Sequence, residues 1–296
     1  MSCLIVTKPT NLEQHGNVVR TQIERGQLQP KNLIELQKAH DEHYHTLELV
    51  RESLSSHKID FQEISRGDLW PTLDGVQFIM SVGGDGTLLS TSHHILDNTP
   101  VIGIRSSEAS VGYLCSGGTQ DIKEIVNSYI NGELATIACA RLLASIYYGN
   151  EDKERPTVPV LNDFLFANHN PSATTRYIIR SGDQEEEHKS SGVWISTATG
   201  STAGIKAAGG STMERGEKQF QYRVRELYRG PSYAEKLTHG FFNPSEQRFI
   251  IKNRNEAAVL ALDGQRGAIP LRFGDRITFK RAPNLELAVT RKPKKK

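Results

Sequence analysis

The apolar positions of this chain follow two different patterns. Up to about residue 120, short uninterrupted apolar runs alternate with longer stretches in which apolar residues recur every three or four positions. Leu4-Ile5-Val6, the segment Val76, Phe78, Ile79, Met80 and Val82, and Pro100-Val101-Ile102-Gly103-Ile104 are such runs. Each has the composition of a strand buried on both faces. Ile59, Phe61 and Ile64 predict one more strand. Between them, Leu33, Leu36, His40, His43, Leu47, Val50 and Leu54 step by threes and fours and predict a long amphipathic helix. Leu88, Leu89, Ile95 and Leu96 predict a second helix after the run at 76–82.

Alternation of this kind predicts a doubly wound, Rossmann-like α/β domain, in which ligands bind beyond the carboxyl ends of the strands. From Leu134 onward the pattern changes. Arg141 to Tyr148, Val158 to Phe166, Thr174 to Ile179, Val193 to Thr197, Arg248 to Ile251 and Ala257 to Leu262 are short, apolar and broken by turn residues. They predict a β-rich, sandwich-like second domain. The boundary is placed near Asn131-Gly132, giving an α/β domain over 1–131, a β-rich domain over 132–275, and a C-terminal strand with a basic tail over 276–296 that returns to the first domain. The acidic run Asp183 to Glu187 reads as a hairpin tip or loop carrying a solvated charge cluster, and Gly209 to Gln219 and Gly240 to Gln247 read as polar loops.

Within the first pattern, Gly83-Gly84-Asp85-Gly86-Thr87 joins the predicted strand at 76–82 to its helix. Three glycines in four positions bare the backbone N–H groups, and the helix start adds a positive dipole end, so a phosphate fits here. Asp85 conflicts with that reading, because a carboxylate repels the ligand unless it binds a metal or takes a proton from the attacking group. The loop is neither a Walker A motif, which closes on Gly-Lys-Ser/Thr, nor the dinucleotide fingerprint with its third glycine. An ordinary Gly-Asp-Gly turn is the plain alternative. Arg105 to Leu114 follows the next predicted strand and faces the same crevice, where Tyr113 offers a ring for stacking or for packing.

Length and charge narrow the classes. The chain has 296 residues, 36 basic against 34 acidic side chains, and a net charge of +2. Such a balance leaves no electrostatic footprint for a nucleic-acid partner. No membrane span or signal-peptide core is apparent, and Cys3, Cys115 and Cys139 are too few and scattered for a disulfide framework or zinc site. The expected compartment is the cytoplasm. His40, His43 and His45 are close enough for a metal cluster, but packed helix histidines are the commoner case, and no protein-held metal is expected. Arg291-Lys292-Pro293-Lys294-Lys295-Lys296 reads as a solvated tail.

A second constellation is Ser196-Thr197-Ala198-Thr199-Gly200-Ser201-Thr202-Ala203-Gly204. It holds more hydroxyls than a helix cap uses and suits ribose or phosphate oxygens. Asn162-Asp163 adds an amide and a carboxylate able to read a purine edge or a ribose diol. The Gly-Gly-Asp-Gly-Thr-Leu-Leu stretch resembles the signature shared by NAD kinases, by diacylglycerol and sphingosine kinases, and more loosely by phosphofructokinases. Taken with Asn162-Asp163, the Thr-Gly-Ser-Thr-Ala block, Gly209-Gly210 and Asp263-Gly264-Gln265, the chain is similar to NAD kinases over nearly its whole length. Gly112-Tyr113-Leu114-Cys115, Ser191-Gly192, Ser196-Thr197-Ala198 and Phe220-Gln221-Tyr222 resemble the NADH-preferring kinases of plants and their bacterial relatives. Three departures stand out: Gly204 replaces an aromatic residue that commonly follows the block, Ser191 replaces an aspartate, and the loop Gly103 to Gly112 lacks the usual Asn/His-rich run.

The resemblance implies transfer of the terminal phosphoryl group of ATP to the 2′-hydroxyl of the adenosine ribose of NAD or NADH. In that reading Asp85 is the general base, and Gly83, Gly84, Gly86 and Thr87 hold the donor phosphates with Mg²⁺ bridging their oxygens. Tyr113, Asn162, Asp163, Thr199, Gly200, Ser201, Thr202 and Ala203 bind the dinucleotide. Homo-oligomers, dimers or tetramers, are implied as well. A lipid kinase sharing the first loop and a non-catalytic dinucleotide sensor are the alternatives.

Overall fold

The computed structural model describes residues 1–69, 73, 75–149, 151–230, 236–264 and 267–289. Pro71, Gln265 of the Asp-Gly-Gln triplet and the basic tail lie outside them. The chain divides into two compact units, residues 1–137 with 286–296, and residues 138–285.

The first unit opens on strand β1 (Ser2–Thr7), followed by helices α1 (Asn11–Glu24) and α2 (Pro30–Ser56), then β2 (Asp60–Ser65), β3 (Phe78–Gly83), α3 (Asp85–Ser92), β4 (Val101–Arg105), the two-residue β5 (Gly117–Gly118) and α4 (Ile122–Ile130). Strand order is β2-β1-β3-β4, and every pairing is parallel. Because β2 and β3 leave β1 on opposite sides, the crossover direction reverses between β1 and β3, the place where such sheets open a ligand crevice. Every residue of β3 is buried, whereas edge strand β2 is largely exposed, as an apolar run flanked on both sides and a mixed one at an edge require. Leu47, Val50 and Leu54 of α2 and Ile122, Ile125 and Val126 of α4 pack with Ile5, Phe78, Met80 and Val82 in one core. Leu287, at the far end of the last strand, pairs with Val101 of β4.

Two helices differ from the sequence expectation. The apolar stripe predicted α2 well, but α1 has almost no buried face, Gly16 being its one buried residue. A capping box between Thr10 and Glu13 starts it instead. Helix α3 is only eight residues long, so Ile95 and Leu96 lie beyond it, and Leu96 is exposed.

The second unit contains β6 (Ala135–Tyr147), β7 (Arg155–Pro156), β8 (Asp163–Asn168), β9 (Thr175–Ser181), β10 (Gln184–Ser190), β11 (Val193–Ser196), the short helix α5 (Gly204–Ala207), β12 (Phe220–Val224), β13 (His239–Phe242), β14 (Phe249–Asn253), β15 (Ala258–Leu262), β16 (Gly267–Leu271) and β17 (Arg276–Val289), with β6 and β17 running across the division between units. One antiparallel sheet has the order β13-β12-β11-β8-β15-β16, and β10-β9-β14-β17 forms a second antiparallel set. Rings from the two sheets meet between them: Phe166 with Tyr177 at 5.4 Å and Phe164 with Phe279 at 5.7 Å, both edge-on, and Tyr222 with Phe249 at 4.6 Å, tilted. This is a sandwich core.

The acidic run does lie at a hairpin turn, with Asp183, Gln184, Glu185 and Glu187 exposed, but one of its acids is buried. Gly182 turns the hairpin at φ +61°, and Gln184 to Glu187 are already strand β10. Glu186 points inward, where its oxygens accept Lys236 N (3.1 Å) and Leu237 N (2.8 Å) and stand 3.4 Å from His188. Strand alternation explains the outcome, since every second residue of a paired strand must face the core whatever its charge. Part of the loop expected at 240–247 is likewise strand β13.

Candidate functional site

In the first unit, Gly83 ends β3, Gly84 is the N-cap of α3 and Asp85 its first residue. The turn is tight enough that a Cβ on Gly83 would lie 2.3 Å from Thr87 Oγ1. Thr87 is buried, its N–H donates to Gly84 O at 2.9 Å, and its hydroxyl has no partner among the described residues. Both oxygens of Asp85 accept backbone N–H groups, Oδ2 from Tyr113 at 3.0 Å and Oδ1 from Leu114 at 2.7 Å. The carboxylate therefore fastens the 106–116 loop to the glycine turn. Each oxygen keeps a second lone-pair direction for another hydrogen. Tyr113 stands beside it with half its surface exposed, while burial, and after it the charge of Asp85, pushes the Cys115 thiol up to about 12.

The helix histidines serve the same region. His43 bridges Thr7 Oγ1 at the end of β1 (3.0 Å) and Ser106 Oγ after β4 (2.8 Å), and Ser106 N donates to Gly83 O (2.9 Å). His40 meets Thr10 Oγ1 at 2.8 Å. Glu42 accepts from Ser107 Oγ (2.7 Å) and Glu108 N (3.1 Å). The carboxyl ends of β1, β3 and β4 are thus tied together by one face of α2. Burial, and after it the Lys8 charge, lowers His43 to about 4, so the ring is neutral near pH 7. Through these contacts His43 and His40 act as fasteners, whereas His45 is exposed.

In the second unit the sequence-predicted residues converge on one turn. Asp263, at φ +44°, accepts three backbone N–H groups: Leu161 (3.1 Å) on Oδ2, and Asn162 (2.8 Å) and Asp163 (3.0 Å) on Oδ1. Thr197 Oγ1 donates to Leu161 O (2.5 Å) and accepts Gly200 N (3.1 Å), while Thr197 N and Ser196 Oγ donate to Asn162 O. Gly200 lies so close to this turn that a Cβ there would be 2.1 Å from Asn162 O. Thr199 to Thr202 form a single 3₁₀ turn. Asp163 is 4% exposed, and its carboxyl is pushed up to about 8 by burial first and the Asp263 charge second.

The surplus of hydroxyls noted in the sequence is largely consumed inside the turn. Ser196 and Thr197 hold the 161–162 carbonyls, and Ser201 Oγ accepts Met213 N at 2.9 Å. Thr199 Oγ1 is buried without a partner among the described residues, and Thr202 and Ala203 are half-buried. Two residues gain roles the residue-level reading did not assign. Asp263 is the clamp of the turn; its signal was the Asp-Gly pair, a turn that tolerates positive φ. Trp194 packs over Gly204, where a Cβ would fall 2.7 Å from its indole. That pairing links residues ten apart and is invisible without strand register.

The ATP-NAD kinase N-terminal domain family model matches residues 17–134. A probable NADH kinase of Oryza sativa subsp. japonica is 28% identical over 256 residues, 79% of this chain and 77% of the relative. The NADH kinase of Arabidopsis thaliana is 27% identical over 256 residues, covering 79% of each. Among solved structures, yeast NADH kinase complexed with NADH superposes with a TM-score of 0.68 at 17% identity, covering 98% of this chain and 83% of that one. An NAD kinase from Archaeoglobus fulgidus in complex with ATP gives a TM-score of 0.66 at 18% identity, covering 97% and 93%. Both share the fold.

Proposed function

From a chain that carries the N-terminal domain of the ATP-NAD kinase family, we infer a kinase that transfers the terminal phosphoryl group of ATP to the 2′-hydroxyl of the adenosine ribose of NAD or NADH. The observation that carries this reading is the Asp85 carboxylate at the carboxyl end of β3, fixed by two backbone N–H groups at the start of a helix. Phosphoryl transfer asks for in-line positioning and charge neutralisation far more than for covalent help. An anchored carboxylate with lone pairs to spare suits the one proton that must move, from the ribose hydroxyl to Asp85.

Gly83, Gly84, Gly86 and Thr87 are assigned to the donor phosphates, on N–H groups at the positive end of α3. Mg²⁺ on those phosphates would neutralise their charge. A phosphate-borne ion fits the donor set, because Mg²⁺ is commonly held by substrate phosphates rather than by an all-protein cage, and the described residues offer no such cage. Tyr113 is assigned a stacking role. Asn162, Asp163, Thr199, Gly200, Ser201, Thr202 and Ala203 are assigned to the dinucleotide. With its carboxyl raised to about 8, Asp163 is largely protonated near pH 7 and can donate as well as accept a hydrogen bond, which a purine edge or ribose hydroxyl can use. We place the protein in the cytoplasm as a homo-oligomer. The family resemblance supports the assembly, and three free cysteines suit a reducing compartment. No helix among the described residues is long and apolar enough to cross a membrane.

The test supplies ATP and Mg²⁺ with NAD, NADH or diacylglycerol in parallel and measures phosphorylated product. NADP or NADPH is the expected product. Phosphorylated lipid, or dinucleotide binding with no turnover, would replace this reading with a lipid kinase or a sensor.

A further inference from the structure

Strand alternation distinguishes the two faces of the parallel sheet in the first unit. Cys3 and Ile5 of β1 and Phe78, Met80 and Val82 of β3 enter the core formed with α2 and α4. Leu4, Val6, Ile79, Ser81 and Gly83 therefore face the other side, where α3 begins and the Thr87 side chain crowds the place a Gly83 Cβ would take. Lys8 extends this second set. It follows β1 directly, and Pro9 disfavours a helical backbone at Lys8, so the alternation carries through it. Val6 pairs with Ser81 in parallel register, which brings Lys8, two residues on, level with Gly83. Neighbouring strands lie about 4.8 Å apart, a gap that a lysine stem spans.

We propose that Lys8 is the phosphate-binding lysine that the glycine turn itself does not carry, its ammonium meeting an oxygen of the triphosphate of ATP. This rests on the reading of Gly83 to Thr87 as the donor-phosphate site. The segment that presents Lys8 is pinned on both sides: Thr7 Oγ1 meets His43 at 3.0 Å, and Thr10 Oγ1 meets His40 at 2.8 Å. The ammonium is half-buried, yet it has no carboxylate partner among the described residues. Burial, and after it the like charge of Arg66, lowers Lys8 below the usual lysine range. A cation withdrawn from water without a counter-charge is costly to hold, and an anionic ligand offsets that cost. Thr87 is an independent sign of a ligand, because its hydroxyl is buried, lies against the Gly83 backbone and has no partner among the described residues. Lysine serves phosphate as a point charge with three donors, so a single stem reaching across from β1 suffices. The place is the switch between β1 and β3, where sheets of this kind open their ligand crevice. The plain alternative is a lysine that lays its stem along the sheet end and keeps its head in water. That alternative predicts no dependence of ATP binding on the charge.

Lys8→Met keeps most of the stem and removes the charge. Mg²⁺-ATP and, separately, NAD are titrated into this variant and the unaltered chain by calorimetry. ATP affinity is expected to fall at least about tenfold, in line with the loss of a charge-assisted hydrogen bond, while NAD affinity is unchanged. An unchanged ATP affinity, or an equal fall for ATP and NAD, overturns the proposal. Should Lys8→Met fail to fold, Lys8→Gln is measured against the same outcomes. The two readings fail separately: ATP binding that depends on Lys8 without NADP(H) formation removes only the acceptor assignment, and NADP(H) formation with ordinary ATP affinity in Lys8→Met removes only the role of Lys8. Absence of ATP binding by the unaltered chain removes the donor site and this proposal with it.

Discussion

Asp163 and Asp263 show how a residue's neighbours decide its chemistry. Both are buried acids on one turn, yet Asp263 receives three N–H groups whereas Asp163 is left with desolvation and its neighbour's charge. The folded carboxyl of Asp163 is raised from 3.8 to about 8, so between those pH values the folded chain holds a proton that the unfolded chain has released. Stability from this group is present below pH 4 and is lost as pH rises through 8. Asp163→Asn removes the titration. Urea unfolding of the variant and the unaltered chain at pH 5 and pH 8.5 should show the variant gaining relative stability at the higher pH. An equal difference at both values would mean that Asp163 is ionised throughout.

Helix α2 gives the opposite slope, and it shows what a sequence can disclose. Its apolar stripe was legible because 3.6-residue periodicity needs no knowledge of partners. The function of the two histidines inside that stripe was not legible, since Thr7 and Ser106 come to His43 from sequence distances of 36 and 63. The glycine turn and the strands around it could be read locally. Helix α1, strand β10 and the Trp194–Gly204 contact depend on a cap, on sheet alternation and on register, and all three escaped a reading built on apolar runs. His43 is lowered from 6.5 to about 4, so the unfolded chain takes up a proton over that interval and the folded chain does not. Stability contributed by neutral His43 is lost as pH falls from 6.5 toward 4, by about 3 kcal/mol as an order of magnitude. A His43→Gln variant should show a flatter stability profile across that window, measured by denaturant unfolding. An unchanged slope would assign the acid sensitivity elsewhere.

At the scale of the whole molecule, each compact unit contains one tight turn built on strand ends. In the first unit the turn is fixed by Asp85 and by the α2 histidine ties. In the second it is fixed by Asp263 and the 196–201 hydroxyls. Both are tight where a glycine is needed, at Gly83 and at Gly200, and both keep one buried threonine hydroxyl without a described partner, Thr87 and Thr199. Such turns are preorganised, and positioning by preorganised groups is what phosphoryl transfer needs most. The charge balance of the chain, 36 basic to 34 acidic residues, leaves any attraction for phosphate to these local arrangements. The most direct measurement is the initial rate of NADP(H) formation by Asp85→Asn, alongside dinucleotide affinity by calorimetry. Turnover should fall by roughly 10²–10⁴-fold, the usual range for a lost general base, while dinucleotide affinity stays within a few-fold of the unaltered chain. Turnover near that of the unaltered chain would contradict the assignment of Asp85 as the proton acceptor.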